Sequence, residues 1–174
     1  MARIDELKAL CDQKGLILIE DTCQSVGATY RGKALGTFGQ AGCFSFDPVK
    51  TITCGEAGAV VTADAERYKL MHAYADHGHD HIGDDRGAED HPFLGYNYRV
   101  SELNAAVGVA QLAKLDAILA KQREYKSAIK NALSDDPRLT WRQLPDAAGD
   151  SATFLSIVSG FSAQKRVGWP SLFF

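Results

Sequence analysis

The sequence predicts an α/β fold with a mixed, mostly parallel sheet flanked by helices, and three observations carry that expectation. Leu16-Ile17-Leu18-Ile19 is an unbroken apolar run that stops at the acidic pair Glu20-Asp21, the pattern of a buried parallel strand ending at its carboxyl edge. The residues before it have helical periodicity and a glycine stop, which makes a helix-to-strand unit. A second apolar run, Ala41 to Phe46, breaks before Pro48, and a third, Gly58 to Thr62, follows a glycine-punctuated turn.

Taken in order, Ile4, Leu7, Leu10 and Cys11 share one face at helical spacing, with Lys14 in the last turn and Gly15 just past the end. The strand Leu16 to Glu20 follows at once. From Gly27 to Gly42 the chain is rich in glycine, and Tyr30-Arg31-Gly32-Lys33 reads as a tight reversal. Asp64 is a good N-cap for a modest helix that ends before His77. Asp76 to Pro92 holds four histidines, six acids and three glycines with almost nothing apolar, which reads as a loop. Ser101 is expected to cap one long helix running to about Leu133, apolar nearly all round as far as Leu119. Such a helix should be buried, a second subunit being one candidate cover. Leu139 to Leu144 and Thr153 to Val158 are expected strands of a second, smaller unit.

Composition sets the outer bounds. The net charge of -3 with scattered basic residues leaves no electrostatic footprint for nucleic acid or an anionic membrane. No apolar run reaches membrane-spanning length, and Met1 opens no signal peptide, so a cytoplasmic location is expected. Cys11, Cys23, Cys43 and Cys54 form no C-x-x-C pair and read as reduced, packed thiols.

Lys50 is the first chemical candidate. It stands between an apolar run and a glycine turn and is read as having no acidic neighbour at helical spacing, where partial desolvation would make its amine a usable Schiff-base nucleophile. A solvated loop lysine is the plain alternative. Asp21 stands at a strand's carboxyl end, where open α/β sheets collect ligands, although a simple strand-end acid reads the same way.

These stretches resemble the DegT/DnrJ/EryC1/StrS family of sugar aminotransferases, which use pyridoxal 5'-phosphate (PLP) and have the fold type I large domain. Glu20-Asp21-Thr22-Cys23-Gln24-Ser25, Gly39 to Phe46, Lys50, Gly55-Glu56-Ala57-Gly58 and Gly95 to Leu103 stand in the family's order, within a likeness over about residues 4 to 158. The resemblance implies that Lys50 forms the Schiff base with PLP and shuttles a proton, and that Asp21 pairs with the pyridine nitrogen. It implies that Gln24 contacts the ring or its phenolic oxygen, that Ser45 binds the phosphate, and that Asn97 reaches the phosphate of a neighbouring subunit. Tyr96, Tyr98 and Arg99 lie where the family builds part of its substrate site, although aromatic residues there also serve as packing anchors. The lysine itself argues against the dehydratase branch, where histidine replaces it.

The implied reaction moves an amino group, with glutamate as donor, onto a keto-sugar in a homodimeric enzyme. The histidine-rich loop is similar to that of members aminating an octulosonate, the 8-amino-3,8-dideoxy-manno-octulosonate transaminase type. The resemblance also implies a parent chain about twice this length. Residues 1–120 would be the C-terminal half of the large PLP-binding domain, and 121–174 an inter-domain helix end with a truncated small domain. Met1 would be internal, the tail Ser159 to Phe174 follows no recognised pattern and reads as a frameshifted or truncated terminus, and the chain alone is expected to bind PLP weakly and turn over nothing.

The competing constellation is His77-x-His79-x-His81 with Asp76, Asp80, Asp84 and His91, a possible metal-dependent hydrolase site. Alternate ligands want a strand, and the spacers Gly78 and Asp80 are poor strand formers, so a solvated loop with no metal is expected. A cofactor-free binding domain is a third reading.

Overall fold

A computed structural model describes residues 3–81 and 90–159. Helix α1 (Ile4–Lys14) ends on Gly15, whose φ of 63° is the left-handed stop anticipated from the glycine. Strand β1 covers Ile19–Asp21, later and shorter than the expected Leu16 to Glu20. Leu16 and Ile17 are 56% and 73% exposed, because no neighbouring strand or helix among the described residues covers them. The reversal at 30–33 is a hairpin of β2 (Thr29–Tyr30) and β3 (Lys33–Ala34). Its central residues Arg31 and Gly32 have φ of 51° and 80°, the mirror-image turn that matches strand twist.

Strand β4 (Ala41–Ser45) is the centre of a three-stranded sheet. It pairs parallel with β1, placing Asp21 opposite Cys43, and antiparallel with β5 (Gly58–Val61). The sheet is therefore mixed, as expected, but among the described strands it is not mostly parallel, since β1 and β4 are its one parallel pair and β4 and β5 run antiparallel. Helix α2 (Ala65–Ala75) starts where Asp64 accepts the Arg67 amide at 2.9 Å, and it ends before His77.

The helix expected as one piece is two. Ser101 does cap its start, accepting the Asn104 amide at 3.2 Å, but α3 (Glu102–Leu112) and α4 (Leu115–Ala132) are bent 56° apart. No proline or glycine marks the break; the Lys114 amide donates to the Gln111 carbonyl, one residue tighter than an α-helical bond. Each half is tied elsewhere. Asn104 donates to the Glu56 carbonyl at 3.3 Å, while Arg123 donates to the Asp150 carbonyl at 2.9 Å. The apolar α3 is not buried within this chain: Leu103 is 81% exposed. Strands β6 (Leu139–Trp141) and β7 (Ile157–Ser159) form an antiparallel pair, shorter than expected because residues 142–156 mostly run as irregular chain. The tail beyond Ser159 lies outside the described residues.

The core packs under the hairpin rather than on the sheet. Ile4, Ala28, Tyr30 and Leu35 are buried together, with Leu18 and Phe38 against them. Of the α1 face, only Ile4 is buried; Leu7 and Leu10 remain exposed. Glu20 is the structural hinge. Its buried carboxylate accepts the amides of Gly36 (2.7 Å), Phe38 (2.6 Å) and Gly39 (2.7 Å), pinning the glycine-rich segment to β1.

The pinned segment leaves no room beside β4: a Cβ on Gly42 would overlap the backbone of Gly36. Because backbone cannot step aside as a side chain can, Gly42→Ala is expected to cost about 3 kcal/mol. A lower urea midpoint at unchanged slope is the expected readout. Among the described residues no single helix is long and apolar enough to cross a membrane.

Candidate active site

Asp21 ends β1 at the edge where β4 continues beyond it. The Thr22 amide and hydroxyl both donate to the Cys43 carbonyl, at 2.9 and 2.6 Å, turning the chain toward β4. Asp21 Oδ1 accepts the Cys23 amide at 3.1 Å. The neighbouring Cys23, through its thiol first and its amide second, holds the Asp21 carboxyl below the usual carboxylate range, and the Lys50 charge acts in the same direction; the thiol's described hydrogen bond runs to the Cys43 carbonyl at 3.7 Å. Burial, then the adjacent Asp21, pushes the Cys23 thiol up. All four cysteines are free.

Lys50 reaches this edge on a closed loop. Phe46 anchors both ends of it, its amide donating to the Ala57 carbonyl at 2.9 Å and its carbonyl accepting the Cys54 amide at 3.0 Å. Asp47 folds the first half: its Oδ1 accepts the Val49 amide at 2.9 Å and its carbonyl accepts the Lys50 amide at 3.2 Å. The Lys50 side chain is only 12% exposed, with Nζ 3.5 Å from Asp47 Oδ2. The expectation that Lys50 has no acidic neighbour at helical spacing is therefore wrong, since Asp47 stands three residues before it. Ser45 Oγ donates to the same Asp47 oxygen at 3.3 Å. Lys50, Asp47, Ser45 and Asp21 thus form one electrostatic group at the end of β1 and β4.

Gln24 lies nearby but on a different wall. It borders a cavity of about 210 Å³ together with Ser25, Lys126, Asp150, Ser151 and Thr153. The Thr51 and Thr153 hydroxyls, 3.2 Å apart, join that cavity's rim to the lysine loop. Asn97, Tyr96, Tyr98 and Arg99 make their described contacts elsewhere. Asn97 pairs with Asp76 through a β-bridge and accepts from Arg99 Nε at 3.1 Å, and Arg99 Nε is 3.3 Å from Asp76. Tyr96 and Tyr98 stack on each other with centroids 5.6 Å apart, and both meet Tyr74.

His77, His79 and His81 lie on a turn and irregular chain, as the loop reading expects, with His77 exposed and His79 and His81 half-buried. His77 and His81 have left-handed φ of 59° and 56°, and the His77 amide is held by the Tyr96 carbonyl at 2.9 Å. Asp84 lies outside the described residues. Sequence reasoning overlooked Asp47 and Glu20: the Asp-Pro turn before Lys50 was legible in its spacing, whereas nothing local to Glu20 shows that amides 16 to 19 residues later converge on it.

The donor set fits PLP. A sheltered primary amine, a carboxylate held ionised within its electrostatic reach, and a hydroxyl beside them are the groups that an aldehyde, a pyridine nitrogen and a phosphate need.

The sequence model of the DegT/DnrJ/EryC1/StrS aminotransferase family matches residues 1–167, reaching past the point where the tail was expected to lose its pattern. GDP-perosamine synthase of Vibrio cholerae is 38% identical over 136 residues, covering 77% of this chain and 35% of that protein. Among solved structures, PseC of Helicobacter pylori, an aminotransferase of pseudoaminic acid biosynthesis, aligns with TM-score 0.84 and 28% identity over 91% of this chain and 42% of its own. GDP-4-keto-6-deoxymannose-3-dehydratase with a trapped PLP-glutamate geminal diamine aligns with TM-score 0.82 and 30% identity, over 94% of this chain and 45% of its own. The chain thus spans less than half the length of these relatives. With the motifs, the fold and the lysine edge in agreement over nearly all its residues, this chain belongs to the DegT/DnrJ/EryC1/StrS aminotransferase family, whose members use PLP.

Proposed function

We propose that this chain carries the cofactor-anchoring edge of a PLP-dependent aminotransferase that moves an amino group from glutamate to a keto-sugar. The observation that carries the reading is the sheltered Lys50 amine within electrostatic reach of Asp21. When bound, PLP supplies an aldehyde that takes up amino groups and an electron-withdrawing ring. Lys50 Nζ would hold the aldehyde carbon and, once displaced by the donor, move the proton from the substrate carbon. Asp47, against the ammonium, would steady that amine when charged. Asp21, kept ionised by Cys23, would hold the proton on the pyridine nitrogen. Gln24 would donate to the ring oxygen, and Ser45 and, from a second subunit, Asn97 to the phosphate. Tyr96, Tyr98 and Arg99 would then face substrate across that subunit boundary.

Lysine at position 50 favours amination over the dehydration named for one relative. Glutamate as donor is supported by that relative's trapped glutamate adduct. The octulosonate reading rests on the loop at 76–92 alone, so the keto-sugar class is the level proposed. The apolar, exposed α3 supports a homodimer, and residues 1–120 and 121–174 serve as parts of the large and small domains of a longer cytoplasmic enzyme.

The test is borohydride trapping of PLP on the chain, followed by peptide mass mapping. The expected result is a reduced pyridoxyl adduct on Lys50; labelling spread over exposed lysines such as Lys33 and Lys121 would count against the proposal. In the enzyme that contains this chain, Asp21→Asn keeps the acceptor for Cys23 but loses the charge, and kcat is expected to fall on the order of 10²–10³-fold. A rate within a factor of about two of the parent would remove Asp21 from the site.

A further inference from the structure

Three of the chain's five histidines, His77, His79 and His81, stand around one carboxylate, and the other two pack against them. Asp76 is buried at the end of α2, with His77 Nδ1 3.1 Å from its Oδ1 and His81 Nε2 3.9 Å from its Oδ2. One ligand atom each from Asp76, His77 and His79 lie within 4.8 Å of one another. His91 meets His79 with ring centroids 4.2 Å apart, and His72 stacks on His81 at 4.1 Å. His81 Nε2 is shielded from water with no hydrogen-bond partner. Shielding a polar nitrogen in this way is costly unless something takes its lone pair.

The main chain holds this arrangement in place. The His79 amide donates to the Asp76 carbonyl at 3.0 Å, the Gly78 amide to the Ala73 carbonyl at 2.7 Å, and His91 Nδ1 is 3.0 Å from the His77 carbonyl oxygen. Gly78, with φ of 82°, sits so close to Phe93 that any side chain there would collide with the Phe93 carbonyl. The ligand-bearing turn is therefore built before any ion arrives.

We propose that Asp76, His77, His79 and His81 bind one divalent transition-metal ion of the zinc class. Neutral imidazoles and a carboxylate are the ligands such an ion selects, and tetrahedral bonds of about 2.0–2.1 Å require ligand atoms to draw closer than they stand here, by ring rotation about the fixed backbone. Arg99 Nε, 3.3 Å from Asp76 Oδ1, leaves Oδ2 on the His81 side and orients the carboxylate as an outer partner. The ion would brace the turn after α2, which the Tyr96 carbonyl and Arg99 join to the segment 95–99. The site is independent of PLP and stands or falls without it.

The test uses the 174-residue chain without a histidine tag, stripped with a chelator, reloaded with Zn²⁺, desalted and analysed for metal, with Co²⁺ spectra in parallel. About one Zn²⁺ per chain is expected, with visible Co²⁺ bands of a four-coordinate nitrogen–oxygen site and a raised Tm. His79→Gln and His81→Gln should each weaken Zn²⁺ binding at least about tenfold, while Cys23→Ser and Lys50→Ala leave it unchanged. Zinc content no higher than in His79→Gln, or binding lost in Cys23→Ser and kept in both histidine variants, overturns the site. Should the histidine variants unfold, the parent chain decides: no Co²⁺ bands, no site.

Discussion

Lys50→Ala is expected to abolish trapped PLP on this chain and to lower transamination by the enzyme containing it by about 10⁴-fold or more. The lysine would do two things that no neighbour duplicates, holding the aldehyde carbon and carrying the proton. Asp47 and Asp21 are acids, and Cys23, whose amide donates to Asp21, has its thiol pushed up. Lys50→Arg separates charge from chemistry. Arginine preserves the cation against Asp47 at the end of the loop but is not deprotonated in proteins, so it cannot condense with an aldehyde. The same loss is expected in both variants, with far-UV circular dichroism unchanged. Normal adduct formation in Lys50→Arg would place the attachment point elsewhere and end the proposed mechanism.

The largest loss of stability is expected from Glu20→Ala. Its carboxylate takes three backbone amides at 2.6–2.7 Å in a buried setting, and alanine leaves all three donors without a partner. Hydrogen bonds to a charged acceptor are worth about 1.5–3 kcal/mol each, and they do not add fully, so a cost of about 4 kcal/mol is expected from urea unfolding. Glu20→Gln keeps one acceptor but turns an NH₂ toward an amide donor, and about half that loss is expected. The damage should spread to the site. Glu20 precedes Asp21, and the segment it holds leads directly into β4 and Ser45. A change in Glu20→Ala below about 1 kcal/mol would mean that water replaces the carboxylate.

Residues close in sequence largely decide the local features. The reversal at Arg31-Gly32, the caps at Asp64 and Ser101, the stop at Gly15 and the strands around Lys50 each depend on groups a few residues apart, and each was legible from the sequence. So was the order of the family motifs, because it is a property of the chain itself. The Asp47 to Lys50 ion pair belongs with these and was overlooked, since Pro48 was read only as a break and not as part of a turn that brings its flanks together.

What only the tertiary structure decided depends on groups far apart in the chain. Periodicity merges α3 and α4 because nothing between Leu112 and Leu115 breaks a helix; the bend comes from separate anchors at Glu56 and Asp150. Apolar runs mark Leu16, Ile17 and α3 as buried, but burial needs a covering surface, which the described residues do not supply. Spacing likewise reads 77–81 only as a solvated loop, whereas left-handed backbone at His77, Gly78 and His81 gathers the rings near Asp76. Short-range propensity selects the elements; where they bend, what covers them and which side chains meet depend on long-range contacts that no local pattern encodes.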